Sequence, residues 1–494
     1  MIKTTKIESK SLDLLLVIAA PPQTAKFLTW SSGVTHPLGA AYIAAYVREK
    51  GFSVEILDNS LENLDLNAFR EFIAKKQPLC VGFSTFTNSV RNSFLMAKEV
   101  KEVDPDIFVV MGGAHASALP YDTLKHPYVD IVAKGEGEIT TAELLQAIRE
   151  NKGFDDINGI YYKKNGQVIG NPEREPIKDI DSLPMPAYDL LPMKKYYLPA
   201  SRRMGKGYTG SVMTGRGCPY RCTFCSRSVF GSKVRLRKPE LVVDEIQHLV
   251  ENYGVEEFLI WDDIFIIDKK RAIEICRLIK ERDIKIIWSC SSRVDCVSDE
   301  LFRELSLAGC REILLGAESG SQKILDLLHK DITLQQTEEA VRLCKKNNML
   351  SFCTFVIGSE GETEETLRET LEFVKRIDPN YSIFCLLAPL PGSKLFDDAV
   401  QDGRVDLNDV VWDDYVSLLS TVPPPIQTSS LSKEQLVRWQ KKIFREFYLR
   451  PSYIWRHIMN IRSFGHIYES FRGISALLGH QLHQNFKKAA GKSQ

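Results

Sequence analysis

Gly215-Arg216-Gly217-Cys218-Pro219-Tyr220-Arg221-Cys222-Thr223-Phe224-Cys225 sets three cysteines within eight residues, directly after a segment, 211–214, that reads as a strand. Three thiolates this close can grip one face of an iron–sulfur cube. A cube has four irons, so three protein ligands leave one iron open. An open iron can chelate the amino and carboxylate groups of S-adenosylmethionine (SAM), and an electron from the cluster can then cleave the sulfonium. Structural zinc wants a fourth protein ligand and closed tetrahedral geometry. No further Cys or His lies near this loop, so zinc and unpaired core cysteines are the weaker readings.

Outward from the loop, short apolar runs alternate with amphipathic stretches. Downstream, strands are predicted at 211–214, 256–262, 284–290, 311–317, 351–358 and 381–388, with helices at 239–252, 268–282, 298–308, 333–347 and 363–377. Six such units suit an incomplete parallel barrel with its site at the C-terminal strand ends. Upstream, strands at 12–20, 53–58, 79–84, 107–111 and 130–133 alternate with helices at 37–50, 67–76, 88–103, 116–125 and 138–150. That pattern implies a parallel sheet covered on both faces. Between the two lie a hairpin at 159–170 around Asn165-Gly166 and a Pro-containing stretch at 172–199. After about residue 405 the alternation is lost, and 433–494 reads as helical. The expected fold class is α/β: a Rossmann-like N-terminal domain (1–150), a linker with a hairpin (151–207), a partial (β/α)6 barrel (208–405) and a helical, basic C-terminal region (406–494).

The 494 residues leave room for two or three cored domains. Lys+Arg and Asp+Glu are both 64, so no global charge drives the chain toward nucleic acid or an anionic membrane. The apolar run at 12–20 is too short to span a bilayer, and no secretory signal is read. Eleven cysteines in no paired pattern fit a reducing cytoplasm.

The spacing of three, then two, residues between the cysteines, with Phe224 before the last, resembles the radical SAM superfamily. The resemblance extends over about 208–400. It implies that Cys218, Cys222 and Cys225 hold a 4Fe–4S cluster and that Phe224 lies against the adenine of SAM. It also implies that SAM is held by Asp262 and Asp263, by Ser291 and Arg293, by Glu318-Ser319-Gly320, and by Gly358 in the segment Val356-Ile357-Gly358-Ser359-Glu360-Gly361-Glu362. Carboxylates can accept from the SAM amino group or ribose hydroxyls, and Arg can pair with its carboxylate. Acidic strand ends also serve as helix N-caps. Asp262 departs from the commonest pattern, which has glycines before a Glu.

In the N-terminal region no Gly-x-Gly-x-x-Gly follows the first strand, where the turn reads Pro21-Pro22-Gln23, so a dinucleotide is not indicated. Instead Ser84-Thr85-Phe86-Thr87, Gly112-Gly113-Ala114-His115 and Gly135-Glu136-Gly137-Glu138 bring hydroxyls and close-approach glycines to one sheet edge. Tight turns are the plain alternative. Together with Pro37-Leu38-Gly39, these motifs resemble the cobalamin-binding domain of a large radical SAM class, which includes the anaerobic magnesium-protoporphyrin monomethyl ester cyclase and radical SAM methyltransferases. The resemblance implies that Ser84, Thr85, Gly112, Gly113 and His115 line the corrin and its nucleotide tail, with Gly135, Glu136, Gly39 and His36. Domains that ligate cobalt carry Asp-x-His-x-x-Gly. Here Val34-Thr35-His36-Pro37-Leu38-Gly39 lacks the Asp that raises histidine basicity. His36 is therefore expected near the corrin but not bonded to cobalt.

The tail at 433–494 carries twelve Lys/Arg against three Glu, interleaved with aromatics. Phe447-Tyr448-Leu449-Arg450-Pro451 resembles the tails of class members that act on lipids or tetrapyrroles. The tail reads either as a cap on the barrel, the favoured view, or as a peripheral contact with an anionic membrane surface. No nucleic-acid module accompanies the charge. The expected function is a cobalamin-dependent radical SAM enzyme that methylates an unactivated carbon or phosphorus through a 5′-deoxyadenosyl radical. Its expected partners are a small-molecule substrate, such as a lipid or tetrapyrrole, and an external donor such as flavodoxin or ferredoxin. The alternatives are an oxidative cyclase and, from another class, a non-catalytic cofactor-binding sensor or scaffold. The methylthiotransferases share the triad, but their N-terminal domain carries three further cluster cysteines, and residues 1–150 hold only Cys80.

Overall fold

The uninterrupted run Leu14-Leu15-Leu16-Val17 is buried on both faces, as the central strand of a parallel sheet must be. In the computed structural model, which describes residues 10–21, 33–198, 202–415, 426 and 428–459, this run is β1 (Leu12–Ile18). It pairs in parallel with β2 (Val54–Asp58) and β3 (Pro78–Ser84). β4 (Phe108–Gly112) and β5 (Ile131–Ala133) continue the sheet. The hairpin forms as β6 (Ile160–Lys164) and β7 (Gln167–Gly170), turning through Asn165 (φ 52) and Gly166 (φ 80). Two positive φ values are what a two-residue hairpin turn needs. The hairpin falls within the expected linker, yet β6 pairs antiparallel with β5 and extends the first sheet to the order β2-β1-β3-β4-β5-β6-β7. The helices Leu38–Glu49 and Gly137–Arg149 pack on one face, and Leu66–Lys76 and Val90–Val103 on the other. The single helix expected over 116–125 is two, Ala114–Ala118 and Pro120–Lys125. Pro120 has no N–H to continue the first and suits the first turn of the second.

The second sheet begins with β8 (Tyr208–Val212). A short ribbon, β9 (Gly215–Arg216) with β10 (Arg235–Leu236), then brackets the cysteine loop. β11 (Val255–Ile260), β12 (Ile287–Arg293), β13 (Cys310–Glu318), β14 (Leu350–Ile357) and β15 (Tyr381–Leu386) follow β8 in sequence order, all parallel, as an open half-barrel. Its helices start and stop where the local chemistry dictates. Pro239–Tyr253, for example, opens on its proline and ends at Gly254, φ 65.

The stretch before β8 packs between the sheets. Tyr188, Leu191, Met193 and Tyr196 join the barrel core, and the Tyr188 hydroxyl donates to Ser211 O (2.9 Å). The Lys433–Tyr448 helix opens with a Ser432/Gln435 capping box and buries Leu436, Trp439, Ile443 and Phe447 in the same core. Gln440 donates to Phe384 O (2.8 Å) and Tyr448 to Ser382 O (2.6 Å), which ties the helix to the free edge of β15. As far as it is described, the tail caps the barrel. Its remaining basic residues, from Arg462 on, lie outside the described residues, as do Pro22 and Gln23 of the first turn.

Candidate active site

The cysteine loop is fastened on every side. Gly217 sits at φ 90, where a Cβ would come within 2.2 Å of Lys233 O, so only glycine allows the ribbon to close. Its N–H donates to Asp263 (3.0 Å), and Thr214 donates to Asp262 through both its N–H and its hydroxyl. Thr223 N–H donates to Leu328 O (3.1 Å), and Leu395 N–H to Thr223 O (3.0 Å). Asp262 and Asp263, expected on SAM, thus spend their carboxylates on the loop itself. Burial pushes both up, Asp262 to about 6.

The three cysteines are free thiols; Cys218 and Cys222 are half-buried and Cys225 is exposed. Exposed to solvent on one side, Cys225 still has protein packed around its sulfur, and this desolvation, with the neighbouring Cys222 and Cys218 sulfurs, pushes its thiol up to about 11. The sulfurs are therefore within electrostatic range of one another. Yet among the described residues no three Cys, His, Asp or Glu side chains converge as ligands of a single metal ion.

Around them the half-barrel lumen supplies the rest. Phe224 packs with Val356, Leu387 and Leu395 as an apolar shelf. Glu318, at φ 60 on the last residue of β13, forms a buried pair with Lys330 (2.7 Å). Gly316 makes room for that pair, since a Cβ there would meet Glu318 Oε1 at 2.6 Å and Lys330 Nζ at 2.7 Å. Ser291 is half-buried on β12. Ser319 is turned away and shares a hydrogen bond with Thr370 (3.2 Å). Gly358, at φ 95, lies beneath Leu436 of the C-terminal helix, and its N–H donates to Glu362. Arg293 faces Cys222 rather than an open space: Nη1 donates to Cys222 Sγ at 3.9 Å.

Against the loop lies a cleft that opens to solvent. Gly39, Ser84, Gly112, Gly113, Gly135 and Glu136 of the expected corrin set line it, with apolar walls from Leu14, Leu16 and Ile43. Its far wall is Met213, Arg216, Val229 and Phe230, which flank the cysteines in sequence. Gly113 (φ 89) is pressed against Thr85, whose N and O would each lie 2.8 Å from a Cβ. Apolar walls with glycine-backed edges suit a large flat ligand. Three expected residues do not line the cleft. Thr85 donates to Gly112 O (2.7 Å) and holds the turn. His115 shares a hydrogen bond with Thr87 (3.3 Å) and meets Trp412 edge to face. His36 shares one with Ser211 Oγ (3.2 Å), its ring 4.2 Å from that of Tyr196. Burial holds both imidazoles neutral, His36 at about 3 and His115 at about 4.

A radical SAM superfamily model matches residues 212–374, and a B12 binding domain model matches residues 28–145. The chain is 35% identical to an uncharacterized methyltransferase of Pyrococcus horikoshii over 92% of its own length and 96% of that protein's. The chain belongs to the cobalamin-binding radical SAM family. A further family member, the anaerobic magnesium-protoporphyrin IX monomethyl ester cyclase of Rubrivivax gelatinosus, is 30% identical over 85% of this chain and 74% of its own. Among solved structures, the radical SAM methyltransferase TsrM of Kitasatospora setae shares the fold, with a TM-score of 0.66 at 22% identity over 90% of this chain and 84% of its own. Membership of the family makes this an enzyme with a 4Fe–4S cluster, SAM and cobalamin as cofactors, acting on a small molecule.

The sequence reading missed the joint between the two cofactor sites. Glu136 accepts from Arg216 (2.6 Å), Arg235 (2.5 Å) and Ile177 N–H (2.9 Å), and Glu138 accepts from Arg216 (2.7 Å), all buried. The Arg216 guanidinium also lies 5.0 Å from the Tyr42 ring centroid and 5.2 Å from that of Phe230. Glu136 therefore borders the cleft with its carboxylate already engaged. The signal was present in Gly215-Arg216-Gly217, but its partners lie about 80 residues away in the chain, beyond any local pattern. Lys330 was missed for the same reason.

Proposed function

We propose that this enzyme transfers a methyl group to an unactivated carbon or phosphorus of its substrate. The observation that carries the reading is the shared wall: Met213, Arg216, Val229 and Phe230 flank the cysteine loop and also line the corrin cleft. Both halves of the chemistry thus border one space. When bound, the cluster supplies the electron that releases a 5′-deoxyadenosyl radical from SAM, and cobalamin carries the methyl group. The chain's own residues position and enclose. Phe224, Val356 and Leu387 offer the adenine an apolar shelf. Ser291 and the Glu318–Lys330 pair present polar groups to the rest of SAM. Gly113 and Gly135 line the cleft and would let the backbone come close to a bound corrin, and His36 lies outside the cleft lining, on Ser211. Asp262 and Asp263 hold the loop that carries the thiolates.

The substrate proposed first is a lipid or tetrapyrrole, with flavodoxin or ferredoxin as donor in the cytoplasm. No helix of the described residues is long and apolar enough to cross a membrane. Peripheral contact with a membrane surface is proposed for the tail. The test is anaerobic turnover with methyl-labelled SAM against a lipid and tetrapyrrole extract of the source organism, read by mass spectrometry. Methyl transfer requires label in a product. Oxidative ring closure, which the 30% identity to the cyclase favours as the second reading, requires an unlabelled product that has lost hydrogen.

A further inference from the structure

Arg293 was expected to grip the SAM carboxylate, but its donors are already engaged. Nε and Nη2 each donate to Asp295 (2.9 Å), Nη2 also donates to Lys330 O (2.6 Å), and Nη1 is aimed at Cys222 Sγ (3.9 Å). The guanidinium lies 3.6 Å from the centroid of the Tyr220 ring, and Tyr220 is itself a residue of the cysteine loop. Arg227 returns to the loop by donating to Tyr220 O (3.0 Å), and the Tyr220 hydroxyl meets Cys296 Sγ at 3.7 Å. The loop, the stacked guanidinium and the end of β12 are therefore one packed unit, and Arg293 is only 4% exposed. Asp295 sits on the side of the guanidinium away from the sulfur and is more exposed than the guanidinium. Lys330, the other cation near Cys222, is paired with Glu318 as Arg293 is with Asp295, and what sets Arg293 apart is the Nη1 aimed at the sulfur.

We propose that Arg293 is a positioning residue for the cluster: it donates to the Cys222 thiolate and raises the cluster's reduction potential. Reduction adds one negative charge to the cluster, and a fixed guanidinium N–H aimed at a ligand sulfur, its counter-ion held on the other edge, favours that state. Hydrogen bonds to sulfur and local charge are among the levers that set such potentials. The inference rests on the triad holding a 4Fe–4S cluster. Iron content reads that premise separately: wild-type protein with no iron would defeat the premise and not the role of Arg293.

The test uses full-length protein, reconstituted anaerobically and kept free of SAM. In a redox titration read by electron paramagnetic resonance, Arg293→Gln with about four irons per chain should shift its reduced-to-oxidised ratio about tenfold toward oxidised. That is about 59 mV downward for a one-electron couple. Arg293→Lys, which keeps the charge, should recover part of the shift. A loaded Arg293→Gln with an unchanged midpoint overturns the proposal. So does one whose only defect is weaker SAM binding, since that is the signature of a carboxylate clamp. Should the Gln variant fail to hold iron, the wild type decides alone. Protein labelled with 15N only in arginine, reduced and examined by pulsed paramagnetic resonance, should show a 15N coupling to the cluster. Absence of that coupling overturns the proposal.

Discussion

Glu136→Gln should loosen the joint that presses the cobalamin domain onto the cysteine loop. Glu136 takes hydrogen bonds from Arg216 (2.6 Å), Arg235 (2.5 Å) and the Ile177 N–H (2.9 Å), and each of the three side chains is less than a tenth exposed. Removing one partner of a buried ion pair costs about 3–5 kcal/mol, because a charge is left buried without its counter-ion. Arg216 keeps Glu138, but Arg235 keeps only the carbonyls of Ile177 and Phe230. Glutamine preserves one acceptor, so the cost should lie near the low end, about 3 kcal/mol, with Glu136→Ala nearer 5. The assay is urea unfolding of the cobalamin-loaded protein, followed by tryptophan fluorescence and by corrin absorbance. Release of the corrin should move to lower urea together with the fluorescence change, since Glu136 and Arg216 both border the cleft. Adding Arg235→Gln to Glu136→Gln should return part of the loss, because no unpaired charge then remains. Contacting residues that couple in this way differ from additivity by about 0.5–3 kcal/mol. A Glu136→Gln protein within about 0.5 kcal/mol of wild type, a shift typical of exposed positions, would refute the reasoning by showing that water reaches the joint.

The cob(II)alamin form should show no nitrogen superhyperfine splitting, because His36 does not line the cleft and its ring is packed against Tyr196; splitting that vanishes in His36→Ala would defeat this. Burial raises Glu362 from 4.5 to about 7, with one carboxylate oxygen unpartnered. A raised folded pKa favours the protonated form, so this stabilising contribution is full below about pH 4.5 and is lost as pH rises through about 7. Glu362→Gln should therefore flatten the fall in stability across that window, and an undiminished slope in the variant excludes Glu362 as its source. Removing 433–494 deletes Leu436, Trp439, Ile443 and Phe447 and uncovers the barrel core they pack against, Phe384 included. At about 1.5–3 kcal/mol for each large apolar side chain, the loss rivals the whole stability of a domain, about 5–15 kcal/mol, and the truncated chain should unfold or shed its cofactors. A stable truncated enzyme, with salt-sensitive binding to anionic vesicles seen only in the full chain, would instead assign the tail to a membrane surface.

Both sheets were legible because parallel strands buried on two faces read as short continuous apolar runs, of which Leu14-Leu15-Leu16-Val17 is the plainest. The cysteine triad and the glycines at φ > 0, such as Gly113 and Gly217, were legible because their chemistry is local. The hairpin was seen as a hairpin, but its docking on β5 was not, since pairing partners carry no sequence mark. Carboxylate roles were the least legible. Asp262, Asp263 and Glu136 stand at strand ends where ligand contact was expected, yet each is committed to protein donors. A carboxylate that binds a ligand and one that braces a loop have the same letter in the sequence, and only the three-dimensional partner separates them. His36 and His115 taught the same lesson, as neutral buried rings turned toward Ser211 and Thr87.

The central claim is that Cys218, Cys222 and Cys225 carry the cluster that cleaves SAM. Wild-type and triple Cys→Ala proteins, both reconstituted anaerobically, should be given SAM and a strong reductant, and 5′-deoxyadenosine should be quantified by mass spectrometry. Wild type should form it steadily and hold about four irons per chain, while the triple variant should form none above the protein-free control. Formation of 5′-deoxyadenosine by the triple variant at the wild-type rate would contradict the account.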